Sequence, residues 1–222
     1  MSQVFCFGAS ITYGIADDAG GWTTRIKHQL HESLYGTDGI GEKHELHVLA
    51  APGATTGFVR DHSHDFFTAL KHGPEWDDQH TIGLLSIGIN DAKAFDQPDN
   101  YVSTEEDFRD SISQLIQGMR SNFDMFLGVG YTPADESKTS PKRNPFGGYS
   151  YFLNKRIKLF NDIFKAAIEN HDGVFIDLFD KAHATNWNDH LWVDGLHPNS
   201  KGHQWIGEQV WEQLQSLLVV SD

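Results

Sequence analysis

A neutral hydroxyl becomes a nucleophile when an imidazole can take its proton and a carboxylate holds the imidazole in place. In this chain the hydroxyl candidate is Ser10, within Gly8-Ala9-Ser10-Ile11-Thr12-Tyr13-Gly14. The candidate base is His197, within Trp192-Val193-Asp194-Gly195-Leu196-His197-Pro198-Asn199. Three-residue spacing across a glycine-containing turn lets Asp194 fold back onto the imidazole Nδ1–H, leaving Nε2 free for the serine proton. His190, next to Asp189, lacks that spacing. Acyl transfer also needs donors for the oxyanion. The Ser10 amide, the unobstructed N–H of Gly53 in Ala51-Pro52-Gly53-Ala54 and the side-chain amide of Asn90 in Gly88-Ile89-Asn90-Asp91 are suitable. Taken singly, each has an ordinary alternative: a capping or phosphate-binding serine, a turn glycine, a turn asparagine, one structural histidine among thirteen.

The elements that must bring these residues together are legible as alternating patterns. Gln3 to Phe7, His44 to Ala50, Thr81 to Ile87, Met125 to Val129 and Gly173 to Leu178 read as short buried strands. Gly21 to Leu34, Thr56 to Leu70, Glu105 to Arg120, Phe152 to Glu169 and Ser200 to Leu218 have helical spacing. This order predicts an α/β fold: a three-layer α/β/α sandwich on a five-stranded parallel sheet, since each parallel connection needs a crossover helix. A flavodoxin-like strand order, 2-1-3-4-5, puts the crevice beyond the carboxyl ends of strands 1 and 3, where Ser10 and Asn90 lie. Residues 131–151 carry three prolines and two adjacent glycines and read as a long loop at the active-site end.

Length and charge bound the rest. The 222 residues suffice for one domain, spanning residues 1–222. A formal charge of -14 should repel phosphate backbones and anionic membranes, so nucleic acid is not an expected partner. Cys6 is the only cysteine, in an apolar run; with no expected membrane span or signal peptide, the expected location is cytoplasmic.

The four blocks Gly8-Ala9-Ser10-Ile11-Thr12, Gly53, Gly88-Ile89-Asn90-Asp91 and Asp194-Gly195-Leu196-His197 resemble those of the SGNH (GDSL) hydrolase family, in the family's order and across nearly the whole chain. The resemblance implies that Ser10 and His197 are catalytic, that Asp194 completes the triad, and that Ser10, Gly53 and Asn90 form the oxyanion hole. It implies the same flavodoxin-like fold and an esterase or lipase-like activity on a small acyl ester, thioester or acetylated sugar, without metal or organic cofactor. One position departs: Ala9 stands where the family usually has aspartate. A rival reading, a flavin- or phosphate-binding module of the same fold, accounts for the first loop but gives Asp194 and His197 no role.

Other signals suggest less specific roles. The pairs His28/His31, His44/His47 and His62/His64 read as surface histidines, not metal ligands. Trp22 either lines the pocket or staples the first long helix. Lys138, Lys142 and Arg143, with Phe146, Tyr149, Tyr151 and Phe152, suit either a lid or a solvated loop with its aromatics packed inward. Trp205, Ile206, Val210, Trp211 and Leu214 form a core stripe.

Overall fold

The computed structural model describes residues 1–35, 38–41, 43–71, 79–144 and 147–218. Strands β1 (Ser2–Gly8), β2 (Glu45–Ala50), β3 (His80–Ser86), β5 (Met125–Val129) and β8 (Val174–Ile176) make one sheet in the order β2-β1-β3-β5-β8, with every pairing parallel. This is the strand order expected from the sequence. All seven residues of β1 are buried, as befits a central strand covered on both faces.

The pleat of that strand sorts the chain into two cores. Phe5 and Phe7 face one cluster with Leu85, Phe126 and the helices α3 (Thr56–Leu70), α4 (Glu105–Arg120) and α6 (Asn154–Asn170). Val4 and Cys6 face the other, with Leu84, Leu127 and the helices α2 (Gly21–Tyr35) and α8 (Ser200–Leu214). Alternation along a strand therefore builds the α/β/α layering directly. In α4, Phe108, Ile112, Leu115, Ile116 and Met119 give the buried stripe, while Thr104 and Asp107 close a capping box at its start.

Several expectations shift in detail. Helix α6 begins at Asn154 rather than Phe152, because the Phe152 N–H donates to the Thr139 carbonyl and its side chain is buried before the helix starts. The short helix α7 (Phe179–His183) follows β8, and helix α8 ends at Leu214 and tightens into a 3-10 turn, Gln215–Leu217. The segment 131–151 holds the short helix α5 (Glu136–Thr139) and strands β6 (Lys142–Arg143) and β7 (Tyr149–Tyr151). With β4 (Ala94–Phe95) these strands make a small antiparallel sheet in the order β4-β7-β6. Phe146 lies outside the described residues. His44 is buried rather than on the surface, and its Nδ1 accepts the Ser2 N–H at 3.2 Å. Trp22 is buried in the α2/α8 core, which makes it a staple. Ile206, Val210 and Leu214 are buried as the stripe requires, with Trp205 and Trp211 partly buried against them.

One ion pair, extended by a hydrogen bond, joins the two ends of the chain that carry the candidate chemistry. The short helix α1 (Ser10–Tyr13) is followed by a loop in which Asp17 accepts the N–H groups of Ala19 and Gly21, each at 3.1 Å, and pairs with Arg25. Arg25 in turn donates to the Ser200 hydroxyl at 3.0 Å, at the start of α8. The Asp17 side chain is fully buried. Burial opposes its ionisation, but Arg25, Ala19 and Ser200 outweigh that and hold its pKa at about 2. A depressed carboxyl pKa stabilises the fold above its unfolded value, and that contribution fades as pH falls toward the folded value. Asp17→Asn should therefore cost about 2 kcal/mol at neutral pH. Urea unfolding of both proteins from pH 7 down to 2.5 should show the gap narrowing below about pH 4. A gap independent of pH would mean that the charge of Asp17 does not carry this tie.

Candidate active site

Strand β1 ends at Gly8, and the chain turns at once into α1, so Ser10 stands at a helix N-terminus beyond the sheet. The first amides of a helix have no partner inside it, which leaves the Ser10 N–H available. Ser10 is nearly buried, at 8% exposure, yet it lines the open cleft. Its hydroxyl lies 2.9 Å from His197 Nε2, and His197 Nδ1 lies 2.6 Å from Asp194 Oδ2. The three residues singled out from their types and spacing thus form one continuous hydrogen-bonded chain.

The aspartate turn explains how this chain is held. Asp194 Oδ1 accepts the N–H groups of Leu196 and His197, each at 3.0 Å, which fixes the carboxylate plane. Gly195 sits in the left-handed region at φ +71°, and a β-carbon there would lie 2.8 Å from Lys138 Cβ, so the turn needs glycine. The Trp192 N–H donates to the His197 carbonyl at 2.8 Å, and Asn199 caps α8 through the amides of Lys201 and Gly202. His190 is elsewhere, stacked on Trp187 with the rings 5.1 Å apart.

The second carboxylate oxygen has two claimants. Lys142, on β6, places its Nζ 2.6 Å from Asp194 Oδ2, the same oxygen that receives the His197 Nδ1 hydrogen bond. Burial works to raise the Asp194 pKa, but His197 and Lys142 together drive it well below the usual carboxylate range. Asp194 is therefore a fixed anion over the whole working range. Sequence reading found Lys142 only as part of a basic group in a loop. Of that group, Lys142 and Arg143 line the cleft, whereas Lys138 pairs with Asp135 at 3.2 Å.

The oxyanion-donor candidates line the same cleft. Pro52 and Gly53 occupy the centre of a turn closed by the Ala54 N–H on the Ala51 carbonyl at 3.0 Å, with φ +81° at Gly53, as a type II turn requires. Asn90 spends one side-chain N–H on the Ala54 carbonyl at 2.9 Å, and an amide carries a second. Asp91 accepts the Thr56 N–H at 3.0 Å, so it acts as a remote cap for α3. Burial raises the Asp91 pKa to about 6 against those hydrogen bonds. The neighbours Asn90 and Asp91 thus hold the chain that leaves the Gly53 turn, through the Ala54 carbonyl and the Thr56 amide.

Ala9 is buried and gives α1 no side-chain cap. It borders a small enclosed cavity together with Trp22 and Thr132, whose Nε1 and Oγ1 are buried without a hydrogen-bond partner among the described residues. Among the described residues no cluster of three or more His, Cys, Asp or Glu side chains could hold a metal, and no helix is long and apolar enough to cross a membrane.

Comparison with known proteins places this chain in a family. The model of the GDSL-like Lipase/Acylhydrolase family matches residues 6–205, and the chain belongs to that family. Among solved structures, a lipase/acylhydrolase from Enterococcus faecalis aligns over 100% of both chains at 20% identity, with a TM-score of 0.69. A member of the lipolytic protein G-D-S-L family from Veillonella parvula aligns over 97% of this chain and 99% of its own, at 15% identity and a TM-score of 0.70. An acetyl xylan esterase from Geobacillus stearothermophilus aligns over 99% and 97%, at 15% identity and a TM-score of 0.67. At such identities the likeness is one of fold. No curated protein matches the sequence.

The shared oxygen on Asp194 yields a test. With Lys142 removed, the whole carboxylate charge acts on the imidazole and favours its protonated form. In Lys142→Met the acidic limb of kcat/KM for an aryl ester should move to higher pH, and Lys142→Arg should restore most of the original profile. An unmoved limb in Lys142→Met would show that the ammonium does not share the carboxylate.

Proposed function

We propose that this chain is a serine esterase of one domain that hydrolyses carboxylic esters through an acyl-enzyme on Ser10. The observation that carries the reading is the unbroken chain from Ser10 Oγ to His197 Nε2 and from His197 Nδ1 to Asp194 Oδ2. In the first step His197 Nε2 takes the Ser10 proton as the hydroxyl oxygen attacks the ester carbonyl, then returns that proton to the leaving alcohol. In the second step His197 activates water, which releases the acid. Asp194 keeps the imidazole in the tautomer with Nδ1–H and balances the imidazolium. Charge developing on the carbonyl oxygen is received by the amides of Ser10 and Gly53 and by the second N–H of Asn90.

Thioesters and acetylated sugars are chemically open to the same site, and the structural likeness to an acetyl xylan esterase keeps the latter among the first substrates to try. A cytoplasmic location goes with the reading, supported by a buried thiol at Cys6 whose pKa burial pushes far up. The rival flavin- or phosphate-binding reading assigns nothing to the Asp194–His197 pair and is set aside.

The test is a pair of variants on a small aryl acetate. Ser10→Ala should lower kcat by up to about a millionfold with an unchanged melting curve, since no other group forms the acyl-enzyme. Asn90→Ala should cost roughly a hundredfold to a thousandfold, mainly in kcat. Near-normal turnover in Ser10→Ala would overturn the assignment, and an effect of Asn90→Ala confined to KM would make Asn90 a binding residue.

A further inference from the structure

Among the described residues three cations line the cleft of a protein whose formal charge is -14: Lys93, Lys142 and Arg143. All three come from the small antiparallel sheet or the residue beside it. Phe95 pairs with Ser150, and Ser150 with Lys142, so these positions share one face, as does Lys93 two residues before Phe95. That face looks into the cleft, which Lys93, Lys142 and Ser150 all line together with Ser10 and His197. Arg143 stands at the exposed edge of the same strand pair.

The three cations are differently engaged. Lys142 is neutralised by Asp194 at 2.6 Å. Among the described residues the side chains of Lys93 and Arg143 have no hydrogen bond or ion pair, and the charge that acts on Lys93 is that of the buried Asp91. Lys93 is half-buried, and its desolvation pulls its pKa down, so its position carries a cost that a solvated surface lysine avoids. Among the described residues the only carboxylate lining the cleft is Asp194, already paired. The cleft that holds Ser10 therefore presents two positive side chains with no ion-pair partner among the described residues.

We propose, resting on the esterase reading above, that the preferred substrate is an ester bearing a second, anionic group a few atoms from the scissile carbonyl, bound by Lys93 and Arg143. The body's negative charge does not oppose this at contact, because charges beyond about 8–10 Å are largely screened at physiological ionic strength while the two cations act at close range. It does favour escape of a product that gains a further carboxylate on hydrolysis.

Two matched pairs of esters test the assignment: 4-acetoxybenzoate against 4-acetoxybenzamide, with the charge on the alcohol side, and p-nitrophenyl hemisuccinate against p-nitrophenyl succinamate, with the charge on the acyl side. The anionic member of at least one pair should be preferred by about tenfold in kcat/KM at low salt, chiefly through KM, and the preference should fade in 0.5 M salt. In the double variant Lys93→Gln/Arg143→Gln, checked for an unchanged melting temperature, the anionic-to-neutral ratio should fall about threefold to tenfold, and Lys93→Arg should keep it. Ser10-dependent turnover with neutral members hydrolysed as fast or faster in both pairs, or a ratio unchanged in the double variant, overturns this inference and leaves the esterase reading standing. Absence of Ser10-dependent turnover on all four esters overturns both.

Discussion

Everything in this molecule that bears on chemistry depends on one contact, the 2.9 Å approach of the Ser10 hydroxyl to His197 Nε2 between residues 187 positions apart in sequence. A hydrogen bond between side chains contributes only about 1 kcal/mol net, far too little to close a chain of that length by itself. The contact is therefore imposed by the fold. A fully buried central strand delivers Ser10 at its end, and the cap on α8 fixes the turn that delivers His197. Two ties then bind the neighbourhood together: Arg25 spans from Asp17 to Ser200, and the buried His203 donates to the Ile15 carbonyl at 3.0 Å.

The carboxylate of Asp194 illustrates how local chemistry completes what the fold begins. One oxygen is consumed by the turn's own backbone, and the other is divided between an imidazole and an ammonium. The ammonium belongs to the small sheet β4-β7-β6, so one ion pair ties that sheet to the aspartate of the candidate triad. In the same cleft, Asn90 and Asp91 do the comparable work for the Gly53 turn, through the Ala54 carbonyl and the Thr56 amide. Donors aimed by such bracing need little reorganisation when charge develops.

Much of this was readable before any coordinates. The parallel sheet and both helical layers follow from the alternation of short apolar runs with amphipathic helices, the strand order matches the flavodoxin-like expectation, and Ser10, Asp194 and His197 stand out because their residue types and turn spacing suit one another. Less legible was everything that depends on contacts between segments without a shared local pattern. Lys142 lies in a stretch whose prolines and glycines read as a loop, and nothing local reveals that β7 would pair it with β4 and carry it to Asp194. Lys93 follows the Gly88-Ile89-Asn90-Asp91 block by two residues, a nearness to the site that could have flagged it. His44 looked like a surface histidine because the Ser2 amide that it receives comes from another strand.

The central claim is that Ser10 is activated by the imidazole to which it is hydrogen-bonded. An organophosphonate ester that phosphonylates activated serines, followed by peptide mass mapping, tests this most directly, because it reads the nucleophile itself and requires no knowledge of the substrate. The account predicts one stoichiometric adduct on the peptide bearing Ser10, formed at least about a hundredfold more slowly in His197→Gln. An adduct on another residue, or labelling of Ser10 at an undiminished rate without the imidazole, would contradict it.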